Sequence, residues 1–162
     1  MIIHVKNKNT LIIDDFNLKC CVGKNGINPK KKEGDYSTPK GLFRLKKLYF
    51  RKDRVGIPNY KIQQSVITKN MGWCDDPNKR TYNQQTHIFN KKNKENFYRK
   101  DHKYDYIITI SHNEKNVPFK GSAIFIHITN DYKPTAGCIA LKKKDFEIIL
   151  KLIDKKSKIQ IG

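Results

Sequence analysis

No hydrophobic run in the chain approaches the about 18 residues that a membrane-crossing helix needs, so no transmembrane segment is expected. There is no internal repeat and no Pro- or Ser-rich linker, and 162 residues suit one domain, residues 1–162. Cysteine is sparse and unpatterned: Cys20, Cys21, Cys74 and Cys138 form no CxxC pair, so neither a zinc site nor a thioredoxin-type motif is expected. An even count permits two disulfides without arguing for them, since adjacent cysteines rarely bridge. The N-terminus, Met1-Ile2-Ile3-His4-Val5-Lys6, lacks the basic stretch, apolar stretch and cleavage site of a secretory leader. Read literally, that keeps the chain in the cytoplasm; a trimmed leader or a start codon further upstream are the alternatives.

Acidic residues are also scarce, with 15 Asp and Glu against 34 Lys and Arg, a net charge of +19. Taken alone, such an excess points to a polyanion: nucleic acid, an acidic membrane surface or an anionic wall polymer. The kind of base argues otherwise, because 29 of the 34 are Lys and only 5 are Arg. Abundant Lys, Asn and Ile together look like the product of an AT-rich genome. The lysines fall in short, scattered clusters (Lys30-Lys31-Lys32, Lys142-Lys143-Lys144, Lys155-Lys156) rather than in one basic arm. A solvated Lys-rich surface is the preferred reading, and no nucleic-acid partner is expected.

Residues 2–5, 10–13, 18–22, 41–48, 106–110 and 123–128 are short, rich in Val, Ile, Phe and Tyr, and bounded by Gly, Asn, Asp or Pro, the pattern of strands. Gly23-Lys24-Asn25-Gly26 and Pro39-Lys40-Gly41 read as turns. One helix is predicted over 142–155, where Phe146, Ile149, Leu150 and Ile153 repeat at i, i+3, i+4, i+7. A last strand follows at 158–161. Residues 57–101 are polar, aromatic and poorly periodic; too long for a plain loop, they are expected to form a wall of a site. The fold class is mainly β, sandwich- or barrel-like, with a helix after Cys138.

An apolar run, Gly121-Ser122-Ala123-Ile124-Phe125-Ile126-His127, ends in a histidine. Pro134-Thr135-Ala136-Gly137-Cys138-Ile139 follows, placing a cysteine behind a glycine and ahead of the predicted helix. Nucleophilic cysteine chemistry needs a thiolate, a base, and backbone N–H groups for the oxyanion. A cysteine just before a helix gains from the positive end of its dipole. Gly137 reaches backbone angles closed to other residues. An isolated Cys and His would more often be a buried hydrophobe and a strand-end histidine, but this context reverses that balance.

The stretch resembles the catalytic motif of the L,D-transpeptidases of YkuD type, in which a His precedes a Ser/Thr-x-Gly-Cys box. Gly34-Asp35-Tyr36-Ser37-Thr38-Pro39-Lys40-Gly41-Leu42-Phe43 is similar to that family's Gly-Asp-x-x-Thr-Pro-x-Gly-x-Phe signature. Tyr49-Phe50-Arg51-Lys52-Asp53-Arg54, Met71-Gly72-Trp73-Cys74-Asp75-Asp76-Pro77, Tyr82-Asn83, Tyr98-Arg99-Lys100-Asp101 and Tyr104-Asp105-Tyr106 resemble blocks of a proteobacterial branch. Ala136 and Ala140 stand where the broader family often has His and Arg or Asn, and only seven residues separate His127 from Thr135. The resemblance implies a β-sandwich-like fold, Cys138 as the acylated nucleophile, His127 as base, Thr135 as the box hydroxyl, and the N–H groups of Gly137 and Cys138 as oxyanion donors.

It further implies that the thiolate attacks the L,D bond between the third and fourth residues of a peptidoglycan stem peptide or muropeptide. An amine then captures the acyl-enzyme, or water does, as in an L,D-carboxypeptidase. No cofactor or metal is required. The family's substrate implies the periplasm or cell envelope. The competing reading from another class is a non-catalytic basic polyanion-binding protein with an inert Cys138.

Further candidates for substrate binding are Arg51 and Arg54, whose guanidinium forks suit a carboxylate, with a surface ion-pair network beside Asp53 as the alternative. Trp73, the only tryptophan, would line a groove or fill a core. Tyr82, Asn83 and Asn113 would hydrogen-bond a peptide or fix loops; Ser122 would orient the site or sit in a turn. His112, near the end of a predicted strand, is a lower-ranked candidate for a supporting role, and Asp75-Asp76 is read as a turn or cap. Gly34, Thr38, Pro39 and Gly41 are read as fold-defining turn residues.

Overall fold

The computed structural model describes residues 1–29, 32–87 and 94–162; Lys30 and Lys31 of the first lysine cluster, and 88–93 of the expected wall, lie outside them. The chain opens with an antiparallel meander of β1 (Ile2–Val5), β2 (Thr10–Ile13) and β3 (Phe16–Cys21). Alternate side chains Ile3, Val5, Leu11 and Ile13 are buried, as a period of two requires. The tight β2–β3 turn runs through Asp14, whose φ of 51° is one that a short polar side chain tolerates.

After the short parallel pair β4 (Ile27–Asn28) and β5 (Thr38–Pro39) comes the long strand β6 (Gly41–Phe50). A single helical turn, α1 (Lys52–Val55), leads into β7 (Gln64–Val66), β8 (Met71–Cys74), β9 (Gln85–His87) and β10 (Lys94–Asn96). The chain finishes with β11 (Tyr106–Ile110), β12 (Phe125–Ile128), β13 (Ile139–Leu141), α2 (Lys143–Leu152) and β14 (Lys158–Ile161).

Strands β11-β12-β13-β3-β2-β1-β14-β6 lie side by side, and β6 pairs back onto β11 to close the ring. The result is an eight-stranded mixed β-barrel, parallel at β1–β14 and β12–β13. Closure is possible because β6 is long enough for two partners: Gly41–Arg44 pair with β14, and Leu45–Phe50 with β11 across a register shift at Thr109/Ile110.

Alternation sorts the side chains into two cores. Leu48, Phe50, Ile108, Ile126, Ile128, Ile139 and Leu141 join the main cluster with Phe146, Ile149, Leu150 and Ile153 of the α2 segment. Tyr49, Ile107 and Phe125, on the opposite face of the same strands, pack with Ile67, Met71, Phe97 and Tyr104 under the small sheet β10-β8-β9. The stretch expected as a wall is therefore largely this covering sheet.

The sequence reading differs from the structure at several edges. Strand β12 starts at Phe125 rather than 123, because Ala123 (φ 53°) breaks the extended run. Strand β6 runs on to Phe50, and β3 is shifted to 16–21. The helix is shorter than 142–155, since Lys142 and Ile153 are extended. Strand β13 also intervenes between Cys138 and α2, so Cys138 does not sit at a helix N-terminus and the dipole argument fails. No described helix is long and apolar enough to cross a membrane.

Candidate active site

Strands β12 and β13 run parallel with His127 opposite Ala140, which puts Phe125, His127, Cys138 and Ala140 on the outer face of the barrel wall. His127 and Cys138 line one cavity of about 450 Å³. The Phe125 N–H donates to Cys138 Sγ at 3.4 Å, and the thiol donates to the Ala123 carbonyl at 3.2 Å. The sulfur is thus held between a backbone donor and a backbone acceptor, and no helix dipole acts on it. Of the four thiols, all unbridged, Cys138 alone is not fully buried. Burial pushes Cys20 up to about 12 and Cys21 to about 11, which keeps both protonated.

His127 is buried, and its Nδ1 lies 2.9 Å from the Ile128 carbonyl. A carbonyl only accepts, so Nδ1 carries the proton and Nε2 is the basic nitrogen. Burial pushes the imidazole from its ordinary 6.5 down to about 4, so it is neutral at pH 7. Tyr104 meets the ring edge-on at a centroid distance of 5.3 Å, and its hydroxyl donates to Glu95 Oε1 at 2.6 Å. Burial, first of all, holds that phenol far above its usual range.

The loop before Cys138 is locked by threonines. Thr135 Oγ1 donates to the Cys138 carbonyl at 2.6 Å and accepts the Gly137 N–H at 3.1 Å. The Gly137 N–H is thus engaged inside the loop rather than directed at the oxyanion position expected of it. Gly137 has φ 142°, which favours glycine. The cavity has an acidic side, Glu33, Asp75 and Glu95, and bases in Arg99, Lys103 and Lys133. Burial and the nearby carboxylates of Glu95 and Glu33 raise the Asp75 carboxyl. Among the described residues no cluster of His, Cys, Asp and Glu is arranged to hold a metal.

The structure brings Cys138, His127, Thr135 and Ser122 to this cavity. Arg51 and Arg54 do not line it. Buried Arg51 makes a bidentate pair with Asp53 and stacks on Tyr98, while Arg54 binds Asp105 and the carbonyls of Arg99, Lys100 and Asp101. Together they tie α1 to the loop before β11. Trp73, Asn83 and His112 line a separate cavity of about 240 Å³. Asn83 Oδ1 accepts from the Trp73 indole and the Ala123 N–H, and its amide donates to the Asn113 carbonyl. Asn113 closes its own loop onto Val117 and Gly121, and buried Tyr82 links Glu33 to the Gly121 N–H. These residues hold the backbone leading to Ala123. The sequence placed Tyr104 in a family-like block and Ala123 and Phe125 in the apolar run but gave none of them a part in the site, because two act through backbone atoms and the third through packing.

A closed β-barrel whose outer face holds a cysteine and a tautomer-fixed neutral histidine in one charged cavity defines the class of domain. The chain belongs to the YkuD L,D-transpeptidase catalytic domain family, which it matches over residues 2–161. Among solved structures it resembles the helical cell shape determining protein Pgp2 from Campylobacter jejuni, at 18% identity and TM-score 0.52 over 99% of this chain and 46% of that one. It also resembles Bd1075 of Bdellovibrio bacteriovorus, at 13% identity and TM-score 0.51 over 99% of this chain and 47% of that one. The chain thus spans about half the length of each, and the likeness is one of fold. No curated protein matches it.

Proposed function

We propose that this chain is a cysteine acyltransferase that acts on peptidoglycan stem peptides through a thioester on Cys138. The observation that carries the reading is the shared cavity of Cys138 and a neutral His127 in a domain of this family. The thiol proton passes to His127 Nε2, and the sulfur attacks the carbonyl of the third stem residue. The Cys138 N–H receives the developing oxyanion. The imidazolium protonates the departing amine of the fourth residue, leaving the thioester. An acceptor amine, or water, then displaces sulfur and regenerates the thiol. The structural likeness to Pgp2 extends the proposal to wall remodelling that affects cell shape.

Incubation with a carbapenem followed by intact mass spectrometry tests the reading. Wild type gains one covalent adduct, which Cys138→Ala abolishes. An equal adduct on Cys138→Ala, or none on wild type, defeats it. Products from a defined tetrapeptide, with and without an acceptor amine, separate transfer from hydrolysis.

A further inference from the structure

The Thr38 side chain lies 99 positions before the loop it touches, yet its hydroxyl donates to the Gly137 carbonyl at 2.8 Å. The same oxygen accepts the Gly23 N–H at 2.8 Å, and the Thr38 N–H donates to the Gly26 carbonyl at 2.9 Å. Thr38 is fully buried. Its neighbourhood is built for close approach: a Cβ on Gly23 would stand 2.4 Å from the Tyr36 carbonyl oxygen and 2.9 Å from the Thr38 nitrogen. The Gly23 N–H, the β4–β5 ladder and the Gly26 carbonyl thus hold in place the one hydroxyl that donates to the Gly137 carbonyl.

That carbonyl belongs to the peptide unit that also carries the Cys138 N–H. In a planar trans peptide the two point in opposite directions, so fixing one fixes the other. The unit would otherwise be easy to flip, because Gly137 on its N-terminal side has wide backbone freedom. A hydrogen bond to the carbonyl also polarises the unit and makes its N–H a better donor. We propose that Thr38 is a positioning residue for the nucleophile loop: its hydroxyl latches the Gly137–Cys138 peptide so that the Cys138 N–H faces the oxyanion. The inference rests on the acyl-transfer reading above and assigns the Thr-Pro-x-Gly segment a part in the chemistry beyond shaping a turn.

The test compares Thr38→Val, which removes the hydroxyl at nearly constant volume, with Thr38→Ser, which keeps it. Two rates at Cys138 are read by mass spectrometry: acylation by a carbapenem, which forms an oxyanion, and alkylation by iodoacetamide, which does not. Thr38→Val slows acylation by about 10²-fold, the size of losing an oxyanion donor, while alkylation changes little. Thr38→Ser restores acylation to within a few-fold of wild type. Unchanged acylation in Thr38→Val, a serine variant as slow as valine, or equal slowing of both reactions overturns the latch. If Thr38→Val does not fold, Thr38→Ala takes its place in the comparison. Should wild type itself form no adduct, the acyl-transfer reading fails. The latch is then judged by the amide resonance of Cys138, which moves in the valine or alanine variant and stays in serine if the proposal holds, and stays in all if it does not.

Discussion

His127 shows how one buried group links the chemistry to stability. Its Nδ1 proton is held by the Ile128 carbonyl, and burial depresses the imidazole from 6.5 to about 4. Between those values the unfolded chain binds a proton that the folded chain excludes. The stability this group contributes is therefore complete above pH 6.5 and is lost as pH falls towards 4, by about 1.4 kcal/mol per pH unit. Urea denaturation of wild type and His127→Gln at several pH values measures it. The wild-type curve falls more steeply between pH 6.5 and 4, and parallel curves would mean that His127 titrates normally. The same depression keeps the imidazole neutral across the physiological range, as a general base would need to be. Cys138 and His127 were singled out in the sequence as a histidine closing an apolar run and a cysteine behind a glycine, and the fold brings the two to one cavity. Thr38 was legible only as a turn residue, because its partner is a backbone carbonyl 99 positions away and no local pattern records it. Arg51 and Arg54 were legible as a charged cluster, but whether guanidinium donors face a substrate or backbone carbonyls depends on where the 99–105 loop returns.

Seven of the eight barrel strands were readable because each buries one face or both with β-branched and aromatic side chains, and β14 at Lys158–Ile161 and the apolar stripe of α2 stand where periodicity puts them; β13 was missed, because its three residues between Cys138 and α2 are too few to show a period. The covering sheet was not readable. Its strands are three or four residues long, β8 contains Gly72, and its packing comes from rings brought together from distant segments. Phe97 is the centre of that packing. It is fully buried, with ring centroids 5.2 Å from Tyr49, 5.5 Å from Phe125 and 6.1 Å from both Trp73 and Tyr104. Phe125 supplies the N–H on Cys138 and Tyr104 abuts His127, so the cluster joins the cover to both of those residues. Phe97→Ala should cost about 3–5 kcal/mol, the usual range for emptying an aromatic site in a core. Denaturant melts give the loss, and carbapenem acylation in the folded fraction should slow because the cover no longer holds Tyr104 and Phe125 in register. A loss below about 1 kcal/mol would show that the cover is anchored elsewhere.

The net charge of +19 constrains the folded chain more than it specifies a partner. Several carboxylates are already committed locally: Glu114 pairs with Arg44 and Lys46, Asp53 with Arg51, and Asp105 with Arg54 and His102. With 15 acids against 34 bases, most lysines have no carboxylate to pair with, and they repel one another across a surface wound around a small barrel. Exposed pairs such as that of Lys133 with Asp131 return little, so salt should act mainly on the repulsion. Raising ionic strength from about 0.01 M to 0.15 M shortens the Debye length from about 30 Å to about 8 Å, which cuts lysine–lysine repulsion between clusters but leaves the part-buried Arg54–Asp105 contact less affected. Tm should therefore rise with NaCl over this range, by about 2–4 °C for each kcal/mol of repulsion relieved. A calorimetric series at fixed pH checks it, and a falling Tm would mean that attractive pairs outweigh the lysine excess. On the acyl-transfer proposal, the same screening should slow encounter with an anionic wall polymer without touching the bond-forming step, so kcat/KM on polymeric substrate would fall with salt while the single-turnover rate on bound substrate would not.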